Sequence, residues 1–232
     1  MKNGKQIRKR GNGIMSILSD ISEAMQRGRA RQIKTLVPQA LEEGIPAATI
    51  LQDGLLAGME IVGRRFKENE IFVPEVLVAA RAMNTGTELL KPYLAESGVE
   101  SRGTVILGTV QGDLHDIGKN LVRMMLEGKG FDVVDLGVDV APERFIEAAI
   151  QHNSRIICCS ALLTTTMQGM KDVVLKAEEA GIRDRVTIMI GGAPVTEAFA
   201  ESIGADIYTP DAPSCAEAAA AVADAIKAAA AV

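Results

Sequence analysis

Tryptophan is absent from this 232-residue chain, and aromatic residues reach only 3% of it. The core therefore has to be built from Ala, Val, Ile, Leu and Met. Histidine is nearly as scarce, at His115 and His152 alone, which excludes any site that needs several imidazoles. The three cysteines, Cys158, Cys159 and Cys215, are odd in number and lack metal-ligand spacing. Cys158 and Cys159 are adjacent in an apolar run, so a strand would send them to opposite faces. Buried thiols in a reducing compartment, the cytoplasm, are expected. No apolar run approaches the roughly 18 residues needed to span a bilayer, so no membrane partner is expected. The formal charge of −5 is too mild to select a partner. Five of the first ten residues are Lys or Arg, yet no aromatic residue accompanies them and the run ends in Gly-Asn-Gly. Residues 1–14 are read as a disordered basic leader, not as a nucleic-acid arm. No apolar stretch follows that would make them a secretory signal.

What is present changes character along the chain. From 15 to 97 the apolar residues recur at helical spacing. Ile17, Ile21, Ala24 and Met25 precede Gly28, and Ile33, Val37, Ala40 and Leu41 precede Gly44. Both glycines read as left-handed stops, and Pro38 predicts a kink in the second helix. A third helix, about 46–67, places Gly54 four residues before Gly58, which would let a neighbouring helix come close. A fourth begins at Pro74 and runs toward Leu94. Four helices with short links predict a small antiparallel bundle. After Ser97, β-rich runs at 104–109, 133–136, 156–160, 186–190 and 206–208 alternate with helical segments. Five such units predict an α/β domain over 98–232: a doubly wound, five-stranded parallel sheet, Rossmann-like with flavodoxin-type order. Ligands of such sheets bind beyond the carboxyl ends of the strands. The loops of interest therefore follow Thr109, Ser160 and Ile190.

The first of these reads Gln111-Gly112-Asp113-Leu114-His115-Asp116-Ile117-Gly118. A phosphate-binding P-loop would need glycine at Asp113 and a hydroxyl at Asn120, so Gly118-Lys119 is a partial match that fails twice. Gly108, Gly112 and Gly118 lack the close Gly-x-Gly pair of a dinucleotide fingerprint. A two-metal phosphoesterase would need further His ligands, and His152 falls at a helix end, where a solvated role fits it. A phospho-receiver domain would need a Lys where Thr209-Pro210 stand.

What survives is Asp113-x-His115-x-x-Gly118, then Ser160-x-Leu162, then Gly191-Gly192, with 41 residues between Gly118 and Ser160 and 28 between Leu162 and Gly191. This set resembles the cobalamin-binding domain of methionine synthase, of several mutases and of the corrinoid proteins of methyltransferase systems. In the helical half, Gly58-Met59, Val62-Gly63-x-x-Phe66 and Asn69-Glu70-Ile71-Phe72-Val73-Pro74-Glu75 resemble the cap that precedes that domain. The resemblance runs from about Met15 to the C-terminus. It implies a cobalamin or related corrinoid bound base-off/His-on, with His115 as the cobalt ligand and Asp113 on its other ring nitrogen. Thr166 would bond Asp113, where methionine synthases have a serine hydroxyl. It further implies cofactor contacts from Gly112, Asp116, Ile117, Gly118, Ser160, Leu162, Thr164, Gly191 and Gly192. In the cap, Phe72 and Val76 would cover the upper face of the corrin, unless they are simply bundle core.

By the same resemblance the chain is a methyl carrier. Co(I) would take a methyl group from a substrate-specific methyltransferase. Methyl-Co(III) would then pass it to a second methyltransferase acting for tetrahydrofolate or a thiol coenzyme. A reductive activator would rescue oxidised cobalt. The alternatives are a cobalamin-responsive regulator, disfavoured by the missing Trp and by the short stretch before the bundle, or a storage or delivery protein. No nucleic-acid partner is expected of the carrier.

Overall fold

A computed structural model describes residues 17–97 and 101–230. The basic leader and positions 98–100 of the stretch between the two halves lie outside the described residues. The chain divides into two compact units, residues 1–100 and 101–232.

In the first unit, α1 covers 17–26 and α2 covers Ala30–Glu42, with Pro38 inside it. Gly28 ends α1 at a φ of +62°, and a Cβ there would come within 2.5 Å of Val78. The glycine is thus needed both for its left-handed backbone and for close packing. Gly44, at a φ of +80°, ends the next turn. The third helix, α3, is composite: Ala47–Thr49, a π-helical stretch Ile50–Leu56, then Ala57–Lys67. The π stretch is a departure from expectation, since a 3.6-residue apolar pattern cannot announce it. Its glycines behave as foreseen, because added Cβ atoms at Gly54 and Gly58 would meet Ile21 and Ser22 of α1 at 2.9 Å. The last helix, α4, runs Val73–Ser97. Ile21, Met25, Ile33, Ile50, Leu55, Met59 and Leu90 are fully buried in this unit.

The second unit is the expected doubly wound sheet. In chain order it contains β1 (Thr104–Thr109), α5 (Ile117–Glu127), β2 (Asp132–Asp135), α6 (Pro142–Gln151) and β3 (Ile156–Ser160). It continues with α7 (Gln168–Glu179), β4 (Thr187–Gly191), α8 (Glu197–Ile203), β5 (Ile207–Tyr208) and α9 (Ala212–Ala230). The strand order is β2-β1-β3-β4-β5, all parallel. The chain leaves β1 for one neighbour and crosses back to the other, so the loop after β1 sits at the topological switch point. Residues of α6, α7 and α8 close one core with Ile106, Ile157, Ile188 and Ile190, around Phe145. Gly108 of β1 has no side chain because Phe145 lies 2.7 Å from where its Cβ would be. Helices α5 and α9 pack against each other. Cys159 belongs to the Phe145 core, whereas Cys158 hydrogen-bonds Cys215 of α9, so the adjacent pair does face opposite ways. Burial pushes the Cys159 thiol up to about 12, which leaves it protonated and inert. Lys119 is buried, and its ammonium meets Asp135 at the end of β2 and the Asn120 side chain at 2.9 Å. It fastens α5 to the sheet and is not offered to a phosphate. Among the described residues no helix is long and apolar enough to cross a membrane.

Candidate functional site

Sheet register brings the three sequence motifs level with one another. Thr109 pairs with Ser160, and Ser160 pairs with Gly191, so the strand ends that precede each motif form one row.

The loop after β1 is shaped by Gly112, which adopts a φ of +83°, and by the Asp113 N–H, which donates to the Val110 carbonyl at 3.1 Å. This turn sends the Asp113 side chain inward, where it is fully buried. Its two oxygens have different partners. Oδ1 accepts from the His115 backbone N–H at 3.0 Å and faces His115 Nδ1 at 2.7 Å. Oδ2 accepts from the N–H groups of Leu162 and Leu163, at 2.7 and 3.2 Å, and from the Thr166 hydroxyl at 2.7 Å. Burial by itself would raise the carboxyl's pKa. The hydrogen bonds from Leu162, His115 and Thr166 outweigh it and hold Asp113 well below the usual carboxylate range.

An ionised carboxylate only accepts, so His115 Nδ1 must be the protonated nitrogen. The neutral ring then keeps its lone pair on Nε2. The imidazole is half exposed, at 50% of its side chain. Thr109, itself buried, donates its hydroxyl to the His115 carbonyl at 3.0 Å and fixes the backbone beneath the ring. Around it stand apolar side chains with no cover: Leu114 is 71% exposed, Ile117 70%, and Leu162 and Leu163 are exposed as well. Where a Cβ of Gly118 would be, no other atom lies within 4 Å, so the start of α5 borders open space. The arrangement offers one metal-ready nitrogen on a partly apolar, partly open surface.

Two family models match this chain. The B12 binding domain covers residues 103–223, and a second B12 binding domain covers 17–91. The chain belongs to the corrinoid-binding proteins. Among its relatives, trimethylamine corrinoid protein 1 of Methanosarcina acetivorans is 48% identical over 172 residues, which is 73% of this chain and 80% of that one. Dimethylamine corrinoid protein 3 of the same organism is 42% identical, over 86% of this chain and 93% of that one. Among solved structures, a chain of the methanol:cobalamin methyltransferase complex MtaBC from Methanosarcina barkeri superposes with a TM-score of 0.81 at 32% identity. That match covers 90% of this chain and 80% of the other. A cobalamin-binding protein from Desulfitobacterium hafniense gives a TM-score of 0.73 at 30% identity, covering 87% and 96%.

The residues of this corrinoid-binding protein fit its cofactor. Among the described residues no group of three or more His, Cys, Asp or Glu side chains could hold a bare ion. A corrinoid, which brings its own cobalt, would need only one nitrogen from the protein, and Nε2 of the half-exposed His115 ring could supply it. Asp113, His115, Leu162 and Thr166 are brought into one network, and Gly112 makes the turn that permits it. The remaining residues singled out from sequence surround that network less directly. Asp116 accepts from Asn120 of its own helix, and Thr164 is exposed on the loop after β3. The carbonyl of Ser160 accepts from the Val110 N–H at 3.0 Å.

Gly191 and Gly192, expected to let a ligand approach, are also hemmed in by the chain itself. A Cβ on Gly191 would lie 3.0 Å from the Thr209 carbonyl oxygen, and one on Gly192 only 1.8 Å from that of Ala161. Neighbouring backbone already demands glycine at 192, where φ is also +141°, whereas at 191 it leaves a side chain only a tight fit. In the cap unit Phe72 is 64% exposed whereas Val76 is fully buried, so Val76 takes the core role and only Phe72 offers surface. Sequence reasoning missed Thr109, Leu163 and Asp139. In sequence Thr109 reads only as the end of a strand, and none of the three motifs falls within the loop after β2.

Proposed function

We propose that this protein carries methyl groups on a corrinoid held base-off with His115 as the lower ligand, between a substrate-specific methyltransferase and an acceptor methyltransferase. The observation that supports the reading best is the imidazole of His115, held at 2.7 Å by a buried, ionised Asp113. When bound, the corrinoid's cobalt supplies the centre that accepts and releases the methyl group. The chain's own part is positional and protic. Asp113 keeps the proton on Nδ1, so Nε2 would offer the metal a free lone pair. Thr166, on the far carboxylate oxygen, extends this to a three-residue relay that would hold the proton at Nδ1 whether or not the ring is ligated. Leu114, Ile117, Leu162 and Leu163 would keep water from the lower face. Gly118, Ser160 and Thr164 would border the space for the displaced nucleotide tail, and Phe72 would cover the upper face.

The partners follow from the same reading: a donor-specific methyltransferase, an acceptor enzyme serving tetrahydrofolate or a thiol coenzyme, and a reductive activator. The names of the relatives point to trimethylamine, dimethylamine and methanol as donors. Similar carriers thus serve different donors, and the choice belongs to the partner enzyme.

Two outcomes are expected. In the Co(II) state, replacing natural histidine with nitrogen-15 histidine changes the superhyperfine splitting of the EPR spectrum from three lines to two. The splitting disappears in His115→Ala, and its persistence there would remove His115 from the role. Second, the reduced holo-protein, mixed with the methyltransferase encoded beside it and that enzyme's methylated substrate, shifts to the absorption spectrum of the methylated cofactor. Adding the acceptor enzyme reverses the shift. Failure with amine, methanol, betaine and methoxyarene donors alike, in a protein that holds corrinoid with His115 on cobalt, would favour storage or regulation over carriage.

A further inference from the structure

The loop between β2 and α6 contains a second carboxylate that reaches the histidine loop from the side opposite β3. Asp139 is a non-glycine residue at a φ of +53°, a conformation that L-residues adopt only at a cost and that Asp tolerates better than most. Two bonds hold it there. Its Oδ1 accepts from the Gly112 N–H at 2.7 Å, and its own N–H donates to the Asp113 carbonyl at 2.9 Å. The pair closes a small ring onto the two residues that precede Leu114 and His115. Flanking it, the Thr109 N–H donates to the Gly137 carbonyl and the Val140 N–H to the Thr109 carbonyl, both at 3.0 Å. Val110 forms an isolated parallel bridge with Val140.

The histidine loop is therefore gripped twice. From the β3 side the grip runs through the Asp113 side chain, the group that also holds the imidazole. From the β2 side it runs from the Asp139 carboxylate and N–H to the backbone of Gly112 and Asp113, and touches neither the imidazole nor the Asp113 side chain. We propose that Asp139 is a positioning residue for His115: its carboxylate fixes the backbone of Gly112 and Asp113, so the imidazole returns to one place each time it leaves the metal. The proposal rests on the reading of His115 as the lower ligand.

Its test uses the full chain with two variants. Asp139→Gly removes the carboxylate without imposing backbone strain, because glycine accepts a positive φ. Asp139→Asn keeps both an Oδ1 acceptor and a tolerance for the left-handed region. In the apo-protein, amide exchange at Gly112 is expected to quicken about tenfold in the glycine variant, the scale of one lost hydrogen bond, and to stay near wild type in the asparagine variant. After reconstitution with cob(II)alamin, the Co(II) spectrum of Asp139→Gly should show a His-off fraction that is about tenfold larger, as when a group behind a metal ligand is removed. Total cobalamin bound should be unchanged, and asparagine should restore the wild-type spectrum. Wild-type splitting retained in Asp139→Gly overturns the proposal, even with faster exchange at Gly112. A wild-type protein with no histidine splitting at all overturns the ligand reading itself, and the positioning role with it.

Discussion

Asp113→Asn is expected to weaken His115 ligation roughly 10- to 100-fold, the usual cost of losing the partner behind a metal-bound histidine. The variant keeps the shape of the side chain but replaces one oxygen with an NH2 group. Three donors converge on Oδ2, from Leu162, Leu163 and Thr166, so the remaining oxygen turns to them and the NH2 turns to His115. There it opposes the backbone N–H of His115, which loses its acceptor. It also forces Nδ1 to accept, which moves the ring proton to Nε2. The nitrogen needed by the metal then carries a hydrogen. Alanine is worse for the apo-protein. It leaves the Leu162 and Leu163 amides without their acceptor at a site where Asp113 is fully buried, at roughly 1–3 kcal/mol each. Thr166 suffers less, since its hydroxyl also reaches the Leu163 carbonyl at 2.9 Å.

The same carboxylate predicts an acid dependence. Its folded pKa lies below the 3.8 of a free aspartate, so its contribution to stability is complete above that value and drains away as pH falls beneath it. Asparagine has no such titration. Urea unfolding of the apo-protein should show wild type more stable than Asp113→Asn at neutral pH, with the gap closing below about pH 4. A gap that stays constant from pH 7 to 3 would mean that the charge of Asp113 contributes nothing to the fold.

Much of this site could be read from the residues because one-dimensional spacing maps simply onto a parallel sheet. Each motif follows a strand, consecutive strands run in register, and Thr109, Ser160 and Gly191 fall in one row. The link from Thr166 to Asp113 is implied by the family resemblance and not by spacing, and the hydroxyl does reach the carboxylate, at 2.7 Å. Other features depend on contacts that spacing does not encode. The π stretch Ile50–Leu56 preserves an apolar face while changing its hydrogen bonding. Val76 and Phe72 lie four residues apart on or beside one helix, yet one is buried and the other open. Asp139 escaped notice because its role depends on a positive φ, and only Gly and, weakly, Asn or Asp advertise that in sequence. Glycines are ambiguous in another way. Gly192 signals close approach, but a sequence does not say of what.

Gly192→Ala is therefore the second large effect expected, and it separates the two accounts of that glycine. If the residue is small only to admit a ligand, alanine should leave the apo-protein unharmed and weaken corrinoid binding alone. The structure argues for damage before any ligand arrives. The new Cβ would lie 1.8 Å from the Ala161 carbonyl oxygen and 2.9 Å from its carbon, both backbone atoms, at a φ of +141° that alanine disfavours. No side chain can swing aside to relieve this, so the loop after β3 or the loop after β4 must move. A loss of roughly 3 kcal/mol or more is expected, at the upper end for overpacking because strain and collision add. The displacement also reaches the site. Ala161 immediately precedes Leu162, whose N–H donates to Asp113 Oδ2 at 2.7 Å, so amide protection at Leu162 should fall together with melting temperature. Gly191→Ala serves as the control, because its Cβ would meet the Thr209 carbonyl oxygen no closer than 3.0 Å and the Thr209 hydroxyl at 3.8 Å, and its φ is not in the positive range. A few tenths of an ångström of give at Thr209 would accommodate it. Equal melting temperatures for the two apo-variants would contradict the packing account and return Gly192 to the ligand.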